Sequence, residues 1–432
     1  MTTPSTPARR RLFPTNPETA AWILVGLLAV LAVVKLSNGF ERLLLWPTDG
    51  AVDLKLRYDE TRAWFAGWWI NGAVYPPASQ TILLPIVGWL PFRDVRGLWA
   101  VLNLGCLAWL CAICARECGL RSTAGRAAFA FLPLAMSSTA SSVSIGQLAP
   151  VVLPLLVTAV LWMARGPSRW PDSIGSAVLF TLASVKPTLF APFAWLVLLL
   201  PRSRRPAILS ATMYALLTIV ALAALKPARG SDAVVDKLVD GIQSKMNWAT
   251  VAKPLDNNKS TRFGRGYGNL QNMSETAGLV GLENFVLPVA SVIACGAWAF
   301  RRRRTDPWIL IAVCAFAARL GWYHRLYDDM LLLLPMVALA RIAASKAARP
   351  GEDRAALGAM LLLGATGLQL IAPSMTSALL RDILGTLAFW VWIVDLVFLA
   401  NVAPLFEPAR AHAPDERDDG IGLPATVGLG AA

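Results

Sequence analysis

Ionisable and aromatic side chains are crowded into one segment of this mostly apolar chain, A-V-D-L-K-L-R-Y-D-E-T-R-A-W-F-A-G-W-W-I-N-G-A-V-Y-P-P at 51–77. Read as a helix, the segment places Asp53 and Arg57 four residues apart on one face. An aromatic stretch begins at Trp64, and Tyr75 precedes two prolines that end the helix. Two interpretations remain open: a helix anchored at the lipid–water boundary, or an acceptor site with a carboxylate base beneath aromatic rings.

A cation interrupts a second apolar run at K-P-T, Lys186 to Thr188. A lysine near a helix end can extend its ammonium to the membrane surface, and this interpretation requires no function. Alternatively, Lys186 faces a lipid phosphate, and Pro187 opens the backbone so that it lines a cavity.

The densest ionisable cluster next to an apolar segment is R-L-G-W-Y-H-R-L-Y-D-D-M at 319–330. Its cations, which could neutralise a phosphate, are Arg319, His324 and Arg325. Tyr323 could stack on a ring. Asp328 and Asp329 could simply pair with the arginines, which is the structural alternative. A metal site is disfavoured, because adjacent side chains of a helix point apart.

Amides and a hydroxyl occur at short spacing in G-Y-G-N-L-Q-N-M-S, residues 266–274. Asn269 and Asn272 suit the hydroxyl groups of a sugar, and they equally suit an ordinary turn. Asp395 lies inside an apolar run, and we expect it to face the interior of a helix bundle.

The composition is that of an integral membrane protein. The 432 residues are 56% hydrophobic and 16% charged, whereas soluble domains are nearer to about 25% charged. The net charge of +13 comes from short basic clusters between apolar runs, which are typical of topology signals and argue against a nucleic-acid surface. Two histidines cannot form a His-rich metal site, and the six cysteines are expected to be buried.

Apolar segments predict an all-α polytopic membrane protein with a bundle of roughly 10–13 transmembrane helices. A retained first span at 20–40 is followed by eleven apolar segments. They lie at 98–115, 127–136, 148–163, 174–185, 189–200, 207–224, 285–300, 308–320, 330–340, 355–371 and 379–400. Several are shorter than the roughly 20 residues that a perpendicular span needs.

The positive-inside rule separates the chain into two faces. With the N-terminal tail (1–19) in the cytoplasm, nearly all short basic clusters of the transmembrane domain (20–402) fall on the cytoplasmic side. The other side receives the first outer loop (41–96) with interfacial helices, Gln147, Lys186 and a long loop (226–284). This topology requires that 79–91 does not cross the membrane. The tail at 403–432 is expected to be disordered and cytoplasmic.

Several short motifs occur in a distinctive order. D-L at Asp53 precedes the aromatic helix and Y-P-P, G-Q-L-A-P follows at 146–150, and K-P-T comes next with R-S-R-R after it. Asn269, Asn272 and His324 fit the same order. Over about 53–334, this order resembles glycosyltransferase family 87, the polytopic GT-C enzymes that use polyprenyl-phosphate sugars.

The resemblance implies an inverting hexosyltransferase on the non-cytoplasmic face of a bacterial plasma membrane, similar to mycobacterial α-mannosyltransferases. Asp53 would be the general base, and Asp59 is the second candidate for that role. The expected donor-phosphate ligands are Lys186, Arg319, His324 and Arg325. The expected substrate-binding residues are Arg57, Asp59, Trp64, Tyr75, Gln147, Asn269, Asn272 and Tyr323. No cofactor and no metal is expected.

The partners would be a polyprenyl-phosphate sugar, most simply a mannose donor, and a lipid-linked or glycan acceptor. Such a donor already carries its leaving group, so the chemistry requires a base for the acceptor hydroxyl and cations for the departing phosphate. Two alternatives stay open. A lipid or solute transporter would move its substrate without forming a glycosidic bond, and a scaffold would scatter the polar residues.

Overall fold

The computed structural model describes residues 17–67, 75–166, 169–200, 203–225, 269–270, 286–321, 326–345, 348–349, 351–368 and 378–406. Within these ranges the chain forms α-helices, two short 3-10 helices and no strand. The all-α polytopic prediction is therefore confirmed.

Fifteen α-helices are present in the described ranges. They are α1 Pro17–Leu45, α2 Val52–Phe65, α3 Pro77–Val87, α4 Phe92–Glu117, α5 Thr123–Ala135, α6 Ser137–Ile145, α7 Ala149–Arg165, α8 Trp170–Ala183, α9 Pro187–Leu199, α10 Arg204–Ala224, α11 Val286–Arg301, α12 Pro307–Gly321, α13 Leu333–Ala344, α14 Glu352–Leu368 and α15 Ala378–Val402. The 3-10 helices are Leu326–Leu332, which runs into α13, and Ala403–Phe406, which follows α15.

Helices that are apolar on every side form the centre of the bundle. All residues of α12 from Trp308 to Gly321 are buried, and α7 and α13 are buried along most of their lengths. A helix without a polar face is suited to the centre of a bundle, because the surrounding helices keep its apolar side chains away from water. The outer helices α1, α10 and α15 instead expose large apolar side chains such as Leu27, Leu216 and Val394, as lipid-facing helices do.

Four described helical segments are long and apolar enough to cross a membrane: Glu18–Leu45, Phe92–Glu117, Arg204–Ala224 and Ile383–Phe406. The pair α5 and α6 would make a fifth, bent by 42°. The last of these segments ends in the 3-10 helix Ala403–Phe406, whose first residue is buried, so helical structure continues four residues into the predicted tail.

Two short helices connect α1 to α4. Helix α2 is polar for this chain, and α3 has 11 residues, or about 16 Å of length at 1.5 Å per residue. That length is about half of a bilayer's hydrocarbon core, and the expectation that 79–91 does not cross stays a prediction. Helix α3 packs against α10, where Thr81 Oγ1 donates to the Leu217 carbonyl at 2.9 Å.

Candidate active site

The N-terminus of α2 is fixed against the C-terminus of α6. The Ala51 amide donates to the Ser144 carbonyl at 2.9 Å, and Ala51 has a left-handed backbone with φ 58°. For a residue other than glycine this conformation costs about 1–2 kcal/mol, and such strain is often found beside functional sites. Asp53 is two residues further along the chain, in the first turn of α2.

A glycine turn between α6 and α7 positions Gln147. Gly146 has φ 72°, and the Gln147 amide closes the end of α6 by donating to the Ser142 carbonyl at 2.8 Å. A Cβ atom on Gly146 would lie 2.5 Å from Leu54 Cβ, so only glycine lets the turn approach α2 this closely. The turn therefore places Gln147 beside the residue that precedes Leu54, which is Asp53.

The Gln147 side chain joins Asp53 to Lys186. Its Nε2 atom donates to Asp53 Oδ2, and its Oε1 atom accepts from Lys186 Nζ at 3.0 Å. Among the described residues, Asp53 Oδ1 has no hydrogen-bond partner. One carboxylate oxygen is thus held in place, and the other is available to a hydroxyl group.

Lys186 is buried immediately before α9, with Asp328 as its counter-charge. Its ammonium lies 2.5 Å from Asp328 Oδ1 and 5.1 Å from the centroid of the Tyr327 ring. Ser142 Oγ donates to the Tyr327 carbonyl at 2.8 Å, which ties the 3-10 helix to α6. A lysine at the positive end of a helix needs an anion nearby, and Asp328 supplies one.

We call these four residues, Asp53, Gln147, Lys186 and Asp328, the polar chain. They come from α2, the α6–α7 turn, the start of α9 and the 3-10 helix. Sequence reasoning selected the first three, but it paired Asp328 only with arginines. A buried cation in an apolar run needs a buried anion, and this requirement was the available signal for Asp328.

Arg319 has a different environment from the one expected of a phosphate ligand. It is fully buried in α12, its Nε atom donates to Asp329 Oδ1, and its guanidinium lies 4.6 Å from the centroid of the Trp392 ring. The structural alternative, an ion pair with one of the adjacent aspartates, is therefore confirmed for Arg319.

Arg57 and Tyr75 lie beside the polar chain. Arg57 forms a buried ion pair with Glu60, and its guanidinium lies 4.2 Å from the centroid of the Tyr75 ring. Burial raises the pKa of the Tyr75 phenol, while Lys186 and Arg57 lower it and Asp328 and Asp53 raise it further. Tyr75 therefore stays protonated at neutral pH and can donate a hydrogen bond.

Two predicted substrate-binding residues have other contacts. Asp59 is on the outer side of α2, where its half-exposed carboxylate pairs with Lys55 at 2.6 Å. Trp64 is 1% exposed and donates through Nε1 to the Ala221 carbonyl of α10 at 2.6 Å. Both its ring and its N–H group are used in packing α2 against α10, so this side chain faces neither lipid nor an open site.

Of the remaining predicted residues, one lies in a short described stretch and four lie outside the described ranges. Asn269 is buried in a short described stretch. Tyr323, His324, Arg325 and Asn272 lie outside the described residues, as do most of the loop at 226–284, nearly all of the N-terminal tail at 1–19 and the tail from 407 onward.

Comparisons with known proteins identify the family. Searches of curated proteins and of solved structures found no match to the chain. The model of glycosyltransferase family 87 matches residues 73–322, more than half of the chain, and this range includes Tyr75, Gln147 and Lys186. Asp53 precedes the matched range, and Asp328 follows it. GT-C architecture is consistent with the match, and the chain belongs to glycosyltransferase family 87.

Proposed function

We propose that this glycosyltransferase transfers a hexose, most simply mannose, from a polyprenyl-phosphate donor to a lipid-linked or glycan acceptor. Asp53 is the general base, and the reaction takes place on the non-cytoplasmic face of a bacterial plasma membrane. The family membership supports glycosyl transfer, and the donor, sugar, acceptor and base are the proposed refinements.

The observation that carries the proposal is the polar chain. A carboxylate and an ammonium from segments 133 residues apart (186 − 53) are connected through one amide, Gln147. Inverting transfer from a lipid phosphate needs a base on one side of the anomeric carbon and a cation on the other, because the acceptor proton is lost on one side and the phosphate charge appears on the other. The Gln147 amide separates Asp53 from Lys186 and so leaves space between the two groups. A carboxylate on a rigid helix with one fixed oxygen suits the role of the base.

The reaction follows as a single displacement. The acceptor hydroxyl attacks the anomeric carbon while Asp53 Oδ1 takes its proton. The bond between the anomeric carbon and the phosphate oxygen breaks, and polyprenyl phosphate leaves with the electron pair. The Lys186 ammonium has three N–H donors, of which Gln147 and Asp328 use two, so the third can bind the phosphate. Attack opposite the leaving group inverts the anomeric configuration.

Replacement of the proposed base provides the direct test. Asp53→Asn keeps the size of the side chain but removes its basicity, so we expect transfer to fall about 10²- to 10⁴-fold. The measurement is incorporation of labelled sugar from a polyprenyl-phosphate hexose into membrane lipids, with the protein in nanodiscs. The thermal unfolding midpoint should stay close to that of the wild type.

Asp59→Asn is the matched comparison, because Asp59 lies on the same helix with its carboxylate paired to Lys55. We expect it to retain most of the activity. Loss of activity in Asp59→Asn with full activity in Asp53→Asn would give the base to Asp59. Movement of lipid across the bilayer with no labelled product from the wild type would favour a transporter.

A further inference from the structure

Four adjacent arginines, R-R-R-R at 301–304, connect the end of α11 to the start of α12, and we call them the basic turn. Arg301 and Arg304 are exposed. Within the described ranges, Arg301, Arg303 and Arg304 have no carboxylate partner. Like charges in one turn repel one another, so a segment of negative charge that approaches the basic turn would be attracted to it.

The last described residues of the chain lie beside the basic turn. Thr305 Oγ1 donates to the Ala403 carbonyl at 2.5 Å, and Phe406 lines one cavity together with Asp306 and Arg341. The Asp306 carboxylate pairs with Arg341 at 2.7 Å, so it is already engaged and does not neutralise the basic turn. The C-terminal tail therefore leaves the bundle next to an uncompensated group of cations.

The sequence of the tail carries the complementary charge within reach of the basic turn. The stretch D-E-R-D-D at 415–419 has four acids and one arginine. Asp415 is nine residues beyond Phe406, a distance of up to about 30 Å for an extended chain and about 15–18 Å on average for a flexible one. Such a short tether keeps the acids at an effective concentration on the order of millimolar.

We propose that the acidic stretch at 415–419 binds the basic turn, so that the tail holds the end of α15 against the turn between α11 and α12. Carboxylates and guanidinium groups pair through parallel hydrogen bonds. Each exposed pair is weak by itself, but several pairs on a short tether act together. Anionic lipid head groups offer the same charge, and the tail is favoured over them because it begins beside the turn.

Pulsed electron paramagnetic resonance tests the contact by measuring a distance in the full-length protein. In a variant with the six native cysteines replaced, spin labels are attached at Gly420→Cys, directly after the acidic stretch, and at Arg121→Cys, an exposed position in the segment between α4 and α5. The protein is held in nanodiscs of phosphatidylcholine, which has no net charge. The readout is the fraction of molecules in one narrow distance population.

We expect a narrow population at about 20 mM salt that shrinks at about 500 mM salt, because salt screens exposed charges. Neutralising the four acids should reduce the narrow fraction about 5- to 10-fold at low salt, and Arg303→Gln with Arg304→Gln should reduce it about 2- to 5-fold. The four changes in the tail are Asp415→Asn, Glu416→Gln, Asp418→Asn and Asp419→Asn.

Arg204→Gln with Arg205→Gln is the matched control. It removes the same charge from two exposed arginines at the start of α10, and it should leave the narrow fraction unchanged. Equal losses in the two double variants would show a diffuse attraction without a defined contact, which would overturn the proposal.

A broad distribution at low salt would also overturn it and would leave anionic lipid as the occupant of the basic turn. So would a narrow fraction that persists after the four acids are neutralised. The measurement requires no sugar transfer, so its result is independent of the proposed function.

Discussion

At the scale of single residues, the amide of Gln147 determines the geometry of the polar chain. Its N–H group faces the Asp53 carboxylate, and its oxygen faces the Lys186 ammonium. The reversed orientation would place an oxygen against a carboxylate and N–H donors against a cation, so the amide is held in one rotamer. Because Gln147 donates to Oδ2, the other oxygen of Asp53 points elsewhere and can accept a proton.

Lys186 combines a structural role with the proposed donor contact, and the two roles can be separated. Lys186→Met breaks the buried ion pair with Asp328, and we expect the free energy of unfolding to fall by about 3–5 kcal/mol. In the double variant with Asp328→Leu, both charges are gone, and stability should return close to the wild-type value. Chemical denaturation of the protein in mixed micelles measures both changes.

The double variant should still have a donor KM raised about 10- to 100-fold, the effect of losing a hydrogen bond to a charged group. A wild-type donor KM in the stable double variant would limit Lys186 to a structural role.

At the scale of elements, α2 is held at both ends and along its side. The Ala51 amide bonds to the end of α6, and Trp64 bonds to the Ala221 carbonyl of α10. Between these contacts, Leu54 packs against Gly146 of the α6–α7 turn. Asp53 precedes Leu54 and Gln147 follows Gly146. The distance between Leu54 and Gly146 therefore sets the distance between Asp53 and Gln147.

A methyl group at Gly146 should therefore displace Asp53, the proposed base. The left-handed backbone costs a non-glycine residue about 1–2 kcal/mol, and the new Cβ would also collide with Leu54. We expect Gly146→Ala to lower both the unfolding midpoint and kcat.

Gly105→Ala is the matched control, since Gly105 lies on α4 with no heavy atom within 4 Å of an added Cβ. Alanine loses less conformational entropy than glycine when a helix forms. We therefore expect that variant to be as stable as the wild type or more stable by up to about 1 kcal/mol. Equal kcat for Gly146→Ala and the wild type would show that the turn does not position the site.

At the scale of the whole molecule, the polar chain and the contacts of Glu117 with Arg165 and Arg341 lie at opposite ends of α7. Helix α7 begins two residues after Gln147 and ends at Arg165, and its 17 residues span about 25 Å. There Arg165 pairs with Glu117 at 2.7 Å, and Arg341 donates to the Glu117 carbonyl at 3.1 Å. That these two ends lie on opposite sides of a membrane stays a prediction.

The compartment of each end can be tested by thiol labelling. In a variant with the six native cysteines replaced, Lys55→Cys marks the end with Asp53, and Arg121→Cys marks the end with Arg165; both positions are exposed. A membrane-impermeant maleimide should label Lys55→Cys in intact cells and Arg121→Cys only after permeabilisation. The reversed pattern would place the candidate active site in the cytoplasm.

The local chemistry of the sequence predicted part of the site. Asp53 was selected from the ionisable segment at 51–77, Lys186 as a cation in an apolar run and Gln147 through the family resemblance, and all three belong to the polar chain. Trp64 and Asp59 come from the same segment as Asp53, yet Trp64 packs on α10 and Asp59 faces outward. Residue type and spacing identify a helix face, but they do not say which neighbouring helix will cover that face.

The sequence by itself determined the all-α membrane architecture, and it predicted one face with the basic clusters and another with Asp53, Gln147 and Lys186. Both depend on hydropathy and charge, which act locally along the chain through the cost of placing polar groups in lipid. Only the tertiary structure decided that Asp328 pairs with Lys186, that Asp329 pairs with Arg319, and that the turn at Gly146 brings Gln147 to Asp53. Lys186 and Asp328 are 142 residues apart, Arg319 and Asp329 are 10 apart, and Gln147 and Asp53 are 94 apart. The packing of the helices determines which partner each buried charge meets, and no local pattern encodes that packing.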